Sequence, residues 1–267
     1  MTDEYAGPGG IDVGVANVAR IYDYLLGGKD HYAADRDAAE RLLAAAPETA
    51  VTVRENRAFL RRAVRRLAES GIRQFIDIGA GLPTQANVHE VAQEAAPDAR
   101  VVYSDIDPVV VAHGRALLGS APGVTVVRGD VREPEALLAD PELRGLIDLD
   151  RPVAVLLLAV LHFVADAQDP AGVVRRLRAA MAPGSALVIS HVTSEGNRPE
   201  AAGTAKSVYD ASSASIALRS RPEIEALFEG FELEEPGLVY APEWRPDEAA
   251  RAVDPAGTFL FAGVARR

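Results

Sequence analysis

The chain has 267 residues, of which 48% are hydrophobic and 25% charged, a composition typical of a soluble globular protein. Aspartate and glutamate number 39 against 28 lysines and arginines, so the net charge is −11, which disfavours a broad nucleic-acid-binding surface. There is no cysteine, which excludes disulfides, thiolate nucleophiles, iron–sulfur clusters and cysteine-type zinc sites.

The amino terminus carries no targeting signal of the usual kind. Residues 1–16 are acidic and glycine-containing, without the basic start and apolar run of a signal peptide, so we expect a flexible terminus and a cytoplasmic protein. The longest apolar run, residues 153–160, is far shorter than the roughly 20 residues that a membrane helix needs. It predicts instead a strand buried on both faces, and we expect no membrane association.

Three helices are predicted in the first quarter of the chain. Asn17 is a favourable N-cap for the first helix, which ends at the glycine pair 27–28. The second helix is predicted over 35–46 and the third over 49–70. We expect the whole region 17–71 to form a helical cap. Six arginines of the third helix are interpreted as a solvated face: Arg54, Arg57, Arg61, Arg62, Arg65 and Arg66.

Residues 72–267 are predicted to form a sheet-containing core, because short apolar strands here alternate with helices. Strands are predicted over 75–79, 100–105, 124–130, 153–160 and 185–192. Helices are predicted between them, over 84–96, from Pro108 onward, over 134–138 and over 171–181. This alternation predicts a doubly wound α/β fold with parallel strands and right-handed crossovers.

The end of the chain has a different pattern. A polar stretch over 193–215 and a short helix over 222–228 precede two further strands. These strands, over 231–242 and 258–266, have no long helix between them, so we predict an antiparallel hairpin that completes the sheet. Without a repeat or a linker, residues 17–267 are interpreted as one domain.

The turn after the first strand carries closely spaced glycines. Gly79 and Gly81 follow Asp77 at a strand-to-helix turn, where a ligand approaches the backbone closely. Asp105 ends the second strand, where a carboxylate binds a ribose diol, and Asp130 ends the third. Because the carboxyl ends of parallel strands share one edge, we infer an adenosine-containing ligand there. Each aspartate also has a structural alternative, as a turn residue or a helix cap.

The glycine turn departs from a dinucleotide site. A third glycine normally helps to seat a pyrophosphate, and the sequence has Thr84 in that place, after Pro83. The acidic Asp77 suits a ligand with a cationic amino-acid end better than a pyrophosphate. An NAD(P)-dependent oxidoreductase is therefore the less favoured alternative.

Four segments resemble nucleotide-site motifs of class I S-adenosylmethionine-dependent methyltransferases: FIDIGAGLPT, VVYSDIDP, VRGDVREP and VAVLLLAVLHFV. Nearly the whole chain from about Asn17 resembles a bacterial family of S-adenosyl methyltransferases of unknown substrate, formerly a domain of unknown function. Its own motifs are VARIYDYLLGGKDHYAADR, FIDIGAGLPTQANVHEVAQ and RSRPEIEALFEGFELEEPGLV. The resemblance implies a Rossmann-like, mostly parallel seven-stranded sheet with an antiparallel C-terminal strand. It also implies S-adenosylmethionine as cofactor and S-adenosylhomocysteine as product.

The resemblance further implies which residues contact each part of the cofactor. They are Asp77, Gly79 and Gly81 for the methionine moiety, Asp105 for the ribose, Ile106, Asp130 and Val131 for the adenine, and Ala159 and Val160 beside the sulfonium.

The segment 22–32 is the most unusual of the chain. Tyr22 and Tyr24 precede the glycine pair 27–28, so we predict a lid that hinges at the glycines and whose rings stabilise the sulfonium by cation–π contact. The alternative is a helix end packed on the sheet.

His162 follows the fourth strand, at the edge where an acceptor would meet the methyl group. A neutral imidazole there is a candidate proton acceptor for a hydroxyl or amine nucleophile, with a purely structural ring as the alternative. No spacing of histidines or carboxylates predicts a catalytic metal. The methyl acceptor is expected to be a small molecule, with Tyr209, Arg219 and Trp244 as candidate pocket residues. A module that binds the cofactor without turnover remains a further alternative.

Overall fold

The computed structural model describes residues 12–83, 87–196 and 198–267. Within these residues the chain forms eight strands: β1 Gln74–Ile78, β2 Arg100–Asp105, β3 Val124–Arg128, β4 Ala154–Leu158, β5 Ala186–Val192, β6 Glu232–Leu233, β7 Val239–Tyr240 and β8 Leu260–Arg266. The described α-helices are α1 Val18–Leu25, α2 Ala33–Ala45, α3 Thr49–Glu69, α4 Val88–Ala95, α5 Pro108–Leu118, α6 Pro134–Leu138, α7 Pro141–Leu146, α8 Pro170–Ala180, α9 Pro199–Asp210 and α10 Arg221–Ala226. None of these helices is both long enough and apolar enough to cross a membrane. Thr84 and most of the predicted flexible terminus lie outside the described residues.

The strands form one sheet in the order β3-β2-β1-β4-β5-β8-β6, with β7 also paired to β8. β1 to β5 are parallel to one another, and β8 runs antiparallel to β5. β6 and β7 both pair antiparallel with the other side of β8, so the predicted strand over 231–242 is divided into two short strands. The sheet is therefore seven strands wide, and β6 and β7 together occupy the last position, beside β8. The predicted doubly wound fold with an antiparallel end is confirmed.

Alternate side chains of the central strands enter two different cores, because side-chain direction alternates along a strand. Phe75 and Leu156 pack on one face, with α3, α4 and α5. Ile76 and Leu157 pack on the other face, with α6, α7, α8 and α10. Burial on both faces explains why the central strands consist of continuous apolar runs.

The arginines of α3 do not form a single solvated face. Those that are exposed as predicted are Arg54, Arg61 and Arg65, and those that are half-buried are Arg57, Arg62 and Arg66. Arg62 donates hydrogen bonds to the carbonyls of Ala241, at 2.7 Å, and Trp244, at 3.0 Å. The prediction is wrong for the half-buried residues, because α3 packs both on the sheet and against the segment after β7.

A third, smaller core joins α1 and α2 to α9. Ile21 and Leu42 pack here with Val208 of α9. Only a polar stretch is predicted over 193–215, so the helix α9 corrects that prediction. Within the predicted cap 17–71, α1 and α2 belong to this core, whereas α3 contributes only Val53 to it and otherwise packs in the core of the sheet.

Candidate active site

A cavity of about 510 Å³ lies at the carboxyl ends of the parallel strands, bounded by α1, α2, α3 and α9. Its volume is typical of small-molecule sites, which occupy about 300–1,000 Å³. The predicted site residues that line it are Asp77, Gly79, Gly81, Asp105, Ile106, Asp130, Val131, Ala159, Val160, Tyr22, His162 and Tyr209.

The turn after β1 is held close to β2. The Gly79 amide donates to the carbonyl of Ser104 at 2.7 Å, and the Gly81 amide donates to Oδ2 of Asp105 at 3.0 Å. Both glycines have a positive φ, +73° and +67°, a conformation that other residues rarely adopt. A Cβ on Gly79 would overlap the side chain of Val160. At Gly81, by contrast, no atom lies within 4 Å of the place a Cβ would take, which leaves room for a ligand against the backbone.

Asp77 is buried beneath this turn, on the face of the sheet that packs against α3. Burial raises the pKa of its carboxyl group to about 7, while the guanidinium of Arg57 opposes that shift and the carboxylate of Asp105 adds to it. Arg57 also lines the cavity, a role that its interpretation as a solvated residue misses. The signal was present in the spacing, because Arg57 lies on the same helical face as the buried Val53 and Leu60.

Asp105 is buried at the end of β2, and burial raises the pKa of its carboxyl group. Its Oδ1 accepts from the amide of Asp107 at 3.0 Å, and its Oδ2 accepts from Gly81. The backbone amide of Ile106 also donates to this carboxylate, whose roughly four lone-pair sites leave room for a further donor, such as a ribose hydroxyl. The cap of α5 is Asp107 instead, which accepts from the amide of Val109 at 2.7 Å. Beside them the side chain of Ile106 is 47% exposed and lines the cavity.

Asp130, at the third strand end, is paired with Arg132. The guanidinium Nε of Arg132 lies 2.8 Å from Oδ1 of Asp130. Burial alone would raise the pKa of Asp130, but the hydrogen bonds from Arg132 together lower it below its usual range. Throughout the described parts of the chain, no three histidine or acidic side chains are grouped so that they could share a metal ion.

A chain of hydrogen bonds runs beneath the end of β4. Ala159 has a positive φ of 56°, and its amide donates to Oγ of Ser190 at 2.9 Å. Ser190 donates to Oδ1 of Asn56 at 2.6 Å, and Nδ2 of Asn56 donates to the hydroxyl of Tyr22 at 2.9 Å. Tyr22 in turn donates to the carbonyl of Val53 at 3.2 Å. Two helices, α1 and α3, are thereby linked to the unusual backbone conformation at Ala159.

His162 lies in the 3-10 helix Leu161–Phe163 and is only 4% exposed. Burial, with smaller contributions from His191 and Arg219, holds the pKa of the His162 ring well below its usual range, so the ring is neutral at pH 7. Its Nδ1 is buried and has no hydrogen-bond partner among the described residues. The adjacent Phe163 contacts Tyr209, with 5.4 Å between the ring centres.

Arg219 does not line the cavity, which corrects the prediction that it belongs to the pocket for the methyl acceptor. Its Nη1 donates to the carbonyl of Leu161 at 2.9 Å and to Nε2 of His191 at 2.8 Å. Its Nη2 donates to the carbonyl of Val164 at 2.7 Å and to Asp166 at 2.7 Å. Arg219 therefore holds the segment that carries His162.

Trp244 and Tyr24 also lie outside the cavity lining, so both predictions are corrected. Trp244 is 0% exposed and packs edge-on against Phe59, with 5.3 Å between the ring centres, because it fills the core under α3. The Tyr24 hydroxyl donates to Glu40 at 3.1 Å, and its ring packs against His31. Both contacts direct Tyr24 along α1 and α2 instead of toward the sheet.

The strand order is that of the Rossmann-like fold of class I methyltransferases, and the glycine turn and the acidic strand ends line the cavity at its carboxyl edge. The chain belongs to a family of S-adenosyl methyltransferases, whose model matches residues 5–267. No curated protein matches the chain. The suspected resemblance is thus confirmed.

Solved structures agree with this assignment. A methyltransferase candidate from Thermobifida fusca YX is 43% identical, covers 97% of this chain and 98% of that chain, and has a TM-score of 0.90. A DUF574 family protein from Streptomyces avermitilis MA-4680 is also 43% identical, covers 96% of this chain and 99% of that chain, and has a TM-score of 0.91. An O-methyltransferase family protein from Burkholderia thailandensis, at 14% identity, covers 82% of this chain and 59% of that chain. Its TM-score of 0.54 shows a shared fold alone.

Membership in this family makes S-adenosylmethionine the cofactor and leaves the oxidoreductase alternative without support. The residues at the cavity fit that cofactor. Buried carboxylates at Asp77 and Asp105 suit its ammonium group and its ribose diol, and the exposed Ile106 side chain suits an apolar base. Because Gly79 lacks a Cβ, the side chain of Val160 packs directly against the turn that would hold the amino-acid end of the cofactor.

Proposed function

We propose that this protein catalyses transfer of a methyl group from S-adenosylmethionine to a small-molecule acceptor. The observation that carries the proposal is a single cavity that extends from the glycine turn after β1 to His162 and Tyr209. A donor at one end and an acceptor at the other would therefore meet without leaving the protein. Such positioning supplies much of the catalysis in a displacement reaction.

At the donor end of the cavity, the end of each strand is assigned to a different part of the cofactor. In this proposal the turn at Gly79 and Gly81 and the carboxylate of Asp77 bind the amino-acid end, and Asp105 binds the ribose. The residues assigned to the adenine are Ile106, Asp130 and Val131, and those assigned to the region beside the sulfur are Ala159 and Val160. When bound, the cofactor supplies a methyl group on a positively charged sulfur, which becomes a neutral thioether once the methyl group has moved to the acceptor.

His162 is proposed to accept the proton that the acceptor loses. The neutral ring offers a lone pair, and its Nδ1 is buried, which leaves Nε2 as the nitrogen for a ligand to reach. A hydroxyl that donates to Nε2 passes its proton to the ring as its oxygen becomes methylated. Arg219 has a positioning role, because it holds the backbone on both sides of His162.

The test is a turnover screen with methyl-labelled S-adenosylmethionine against hydroxyl- and amine-bearing small molecules. We expect labelled product from the wild type and a fall in kcat of roughly 100-fold or more for His162→Gln, with the KM for the cofactor unchanged. His113→Gln, a histidine outside the cavity lining, is the control. Binding of S-adenosylhomocysteine without labelled product from any acceptor would contradict the proposal and support a module that binds the cofactor without turnover.

A further inference from the structure

The cavity divides into two parts of different chemistry along the edge of the sheet. One part lies at the ends of β1, β2 and β3 and holds the residues assigned above to the amino-acid end, the ribose and the adenine, while Ala159 and Val160, assigned to the region beside the sulfur, lie at the boundary between the two parts. The other part, which we call the acceptor chamber, lies over β4, β5 and β8 and under α2 and α9. Its walls include Leu42, Phe163, Ala201, Ala205, Tyr209 and Leu218.

Charge is confined to the cofactor part. The charged residues that line the cavity within the described chain are Arg57, Asp77, Asp105, Asp107, Asp130 and Arg132. All lie at the ends of β1 to β3 except Arg57, which acts on Asp77. A charged acceptor would therefore lose its hydration in the chamber without gaining an opposite charge, which is costly.

The polar groups of the acceptor chamber are mostly paired already. Thr52 donates to the carbonyl of Thr258 at 2.7 Å, and Asn56 is bonded to Ser190 and Tyr22. The Tyr209 hydroxyl has no hydrogen-bond partner among the described residues, and burial raises its pKa to about 12, so it remains a donor. The neutral His162 adds an acceptor to this donor, and the hydroxyls of Thr49 and Ser213 also line the cavity.

The shape of the walls favours a ring. Ala201 and Ala205 lie one turn apart on α9, and side chains of this size leave a flat wall between the helix and the sheet. Phe163 and Tyr209 meet at an interplanar angle of 60°, so they present both a ring face and a ring edge. Aromatic rings pack against such surfaces in stacked or edge-on geometry.

We propose that the acceptor is an uncharged, largely apolar ring compound whose hydroxyl group donates to His162. This inference rests on the proposed function and adds the class of molecule that the chamber admits. The hydroxyl satisfies the free lone pair of His162, and a second polar atom accepts from Tyr209.

Ligand-observed NMR with saturating S-adenosylhomocysteine tests the class of acceptor. The probes share one ring system: 2-naphthol, its methyl ether, 2-naphthoate and 2-naphthylmethylammonium. We expect 2-naphthol to bind more tightly than either charged probe, and on the order of fivefold more tightly than the ether, which cannot donate to His162. Tighter binding of a charged probe, or equal binding of the ether, would overturn the proposal.

Two variants of α9 establish where the probe binds. Ala205→Phe fills the acceptor chamber and should abolish binding of 2-naphthol, whereas Ser207→Phe, on the exposed side of the same helix, should not. A thermal shift with S-adenosylhomocysteine is measured on the wild type and both variants. If it is absent from the wild type, the proposed function fails. The thermal shift could instead be present in all three proteins while 2-naphthol either does not bind or binds to Ala205→Phe as well as to the wild type. In that case only the proposed class of acceptor is wrong.

Discussion

Burial makes the protonation of the Asp77 carboxyl group sensitive to pH near neutrality. Its pKa of about 7 in the folded protein exceeds the ordinary value of 3.8, so the folded state holds the proton more tightly than the unfolded chain. The stabilising effect of that proton is complete at low pH and is lost as the pH rises from about 4 to about 7. Above pH 7 the cofactor-free protein therefore contains a buried carboxylate.

We predict that Asp77→Asn removes this part of the pH dependence. The free energy of unfolding in urea, without cofactor, should fall between pH 5 and pH 7.5 in the wild type, and by less in the variant, because the amide does not titrate. Asp105, whose pKa is also raised by burial, is present in both proteins, so the difference between the two profiles reports the titration of Asp77 together with its repulsion from Asp105. Identical pH profiles for the two proteins would show that Asp77 is ionised throughout this range.

The glycine at position 79 shows how one missing side chain shapes the site. Its positive φ and the closeness of Val160 both exclude a larger residue. Ala159 adopts a positive φ without being glycine, a strained conformation that only its surroundings maintain. The hydrogen bonds from its amide to Ser190 are part of those surroundings.

The link between α3 and the end of β4 depends on Asn56, which bonds Ser190 on one side and Tyr22 on the other. We predict that Asn56→Ala lowers the free energy of unfolding by about 1–3 kcal/mol, because the buried hydroxyl of Ser190 and the half-buried hydroxyl of Tyr22 both lose their partner. Tyr22→Phe retains the bond between Asn56 and Ser190 and should cost less, about 1 kcal/mol.

The affinity for S-adenosylhomocysteine shows whether this link positions the cofactor site or only stabilises the fold. If the link positions Ala159 beside the cofactor, Asn56→Ala should weaken that affinity more than Tyr22→Phe does. Equal affinities, with unequal unfolding free energies, would show that the link stabilises the fold without positioning the site.

The parallel strands and several helix ends are predictable because local signals agree with the packing. The run 153–160 has apolar residues on both faces and becomes β4, and Asn17 caps α1 as its side chain suggests, accepting from the amides of Ala19 and Arg20. The short α7 follows Asp140, which caps it, but six residues give too little periodicity to predict a helix.

The helix α9 is missed for a related reason. Its buried residues are small or isolated, such as Ala201 and Val208, and glycine and serine interrupt the pattern. The packing of α9 against α2 supplies the missing stabilisation, and such long-range contacts are absent from local sequence. The same limit applies to Trp244, since nothing in its neighbours distinguishes a core residue from a pocket residue.

The molecule as a whole consists of a sheet with two buried faces and a small core of α1, α2 and α9 above its carboxyl edge. We propose that this small core, rather than the whole region 17–71, is the cap of the active site. The cavity lies between the two, so cofactor and acceptor would each contact both parts. In the proposed function, two of the acidic residues behind the net charge of −11, Asp77 and Asp105, bind the ammonium group and the ribose of the cofactor.

Isothermal titration with S-adenosylhomocysteine tests the central claim most directly. We predict binding to the wild type with one site per chain, and a loss of affinity of more than about tenfold for Asp105→Ala, since hydrogen bonds to a charged group contribute about 1.5–3 kcal/mol. Asp150→Ala, at an exposed position outside the cavity lining, should bind as the wild type does. The account is contradicted if the wild type does not bind S-adenosylhomocysteine, or if Asp105→Ala binds it equally well.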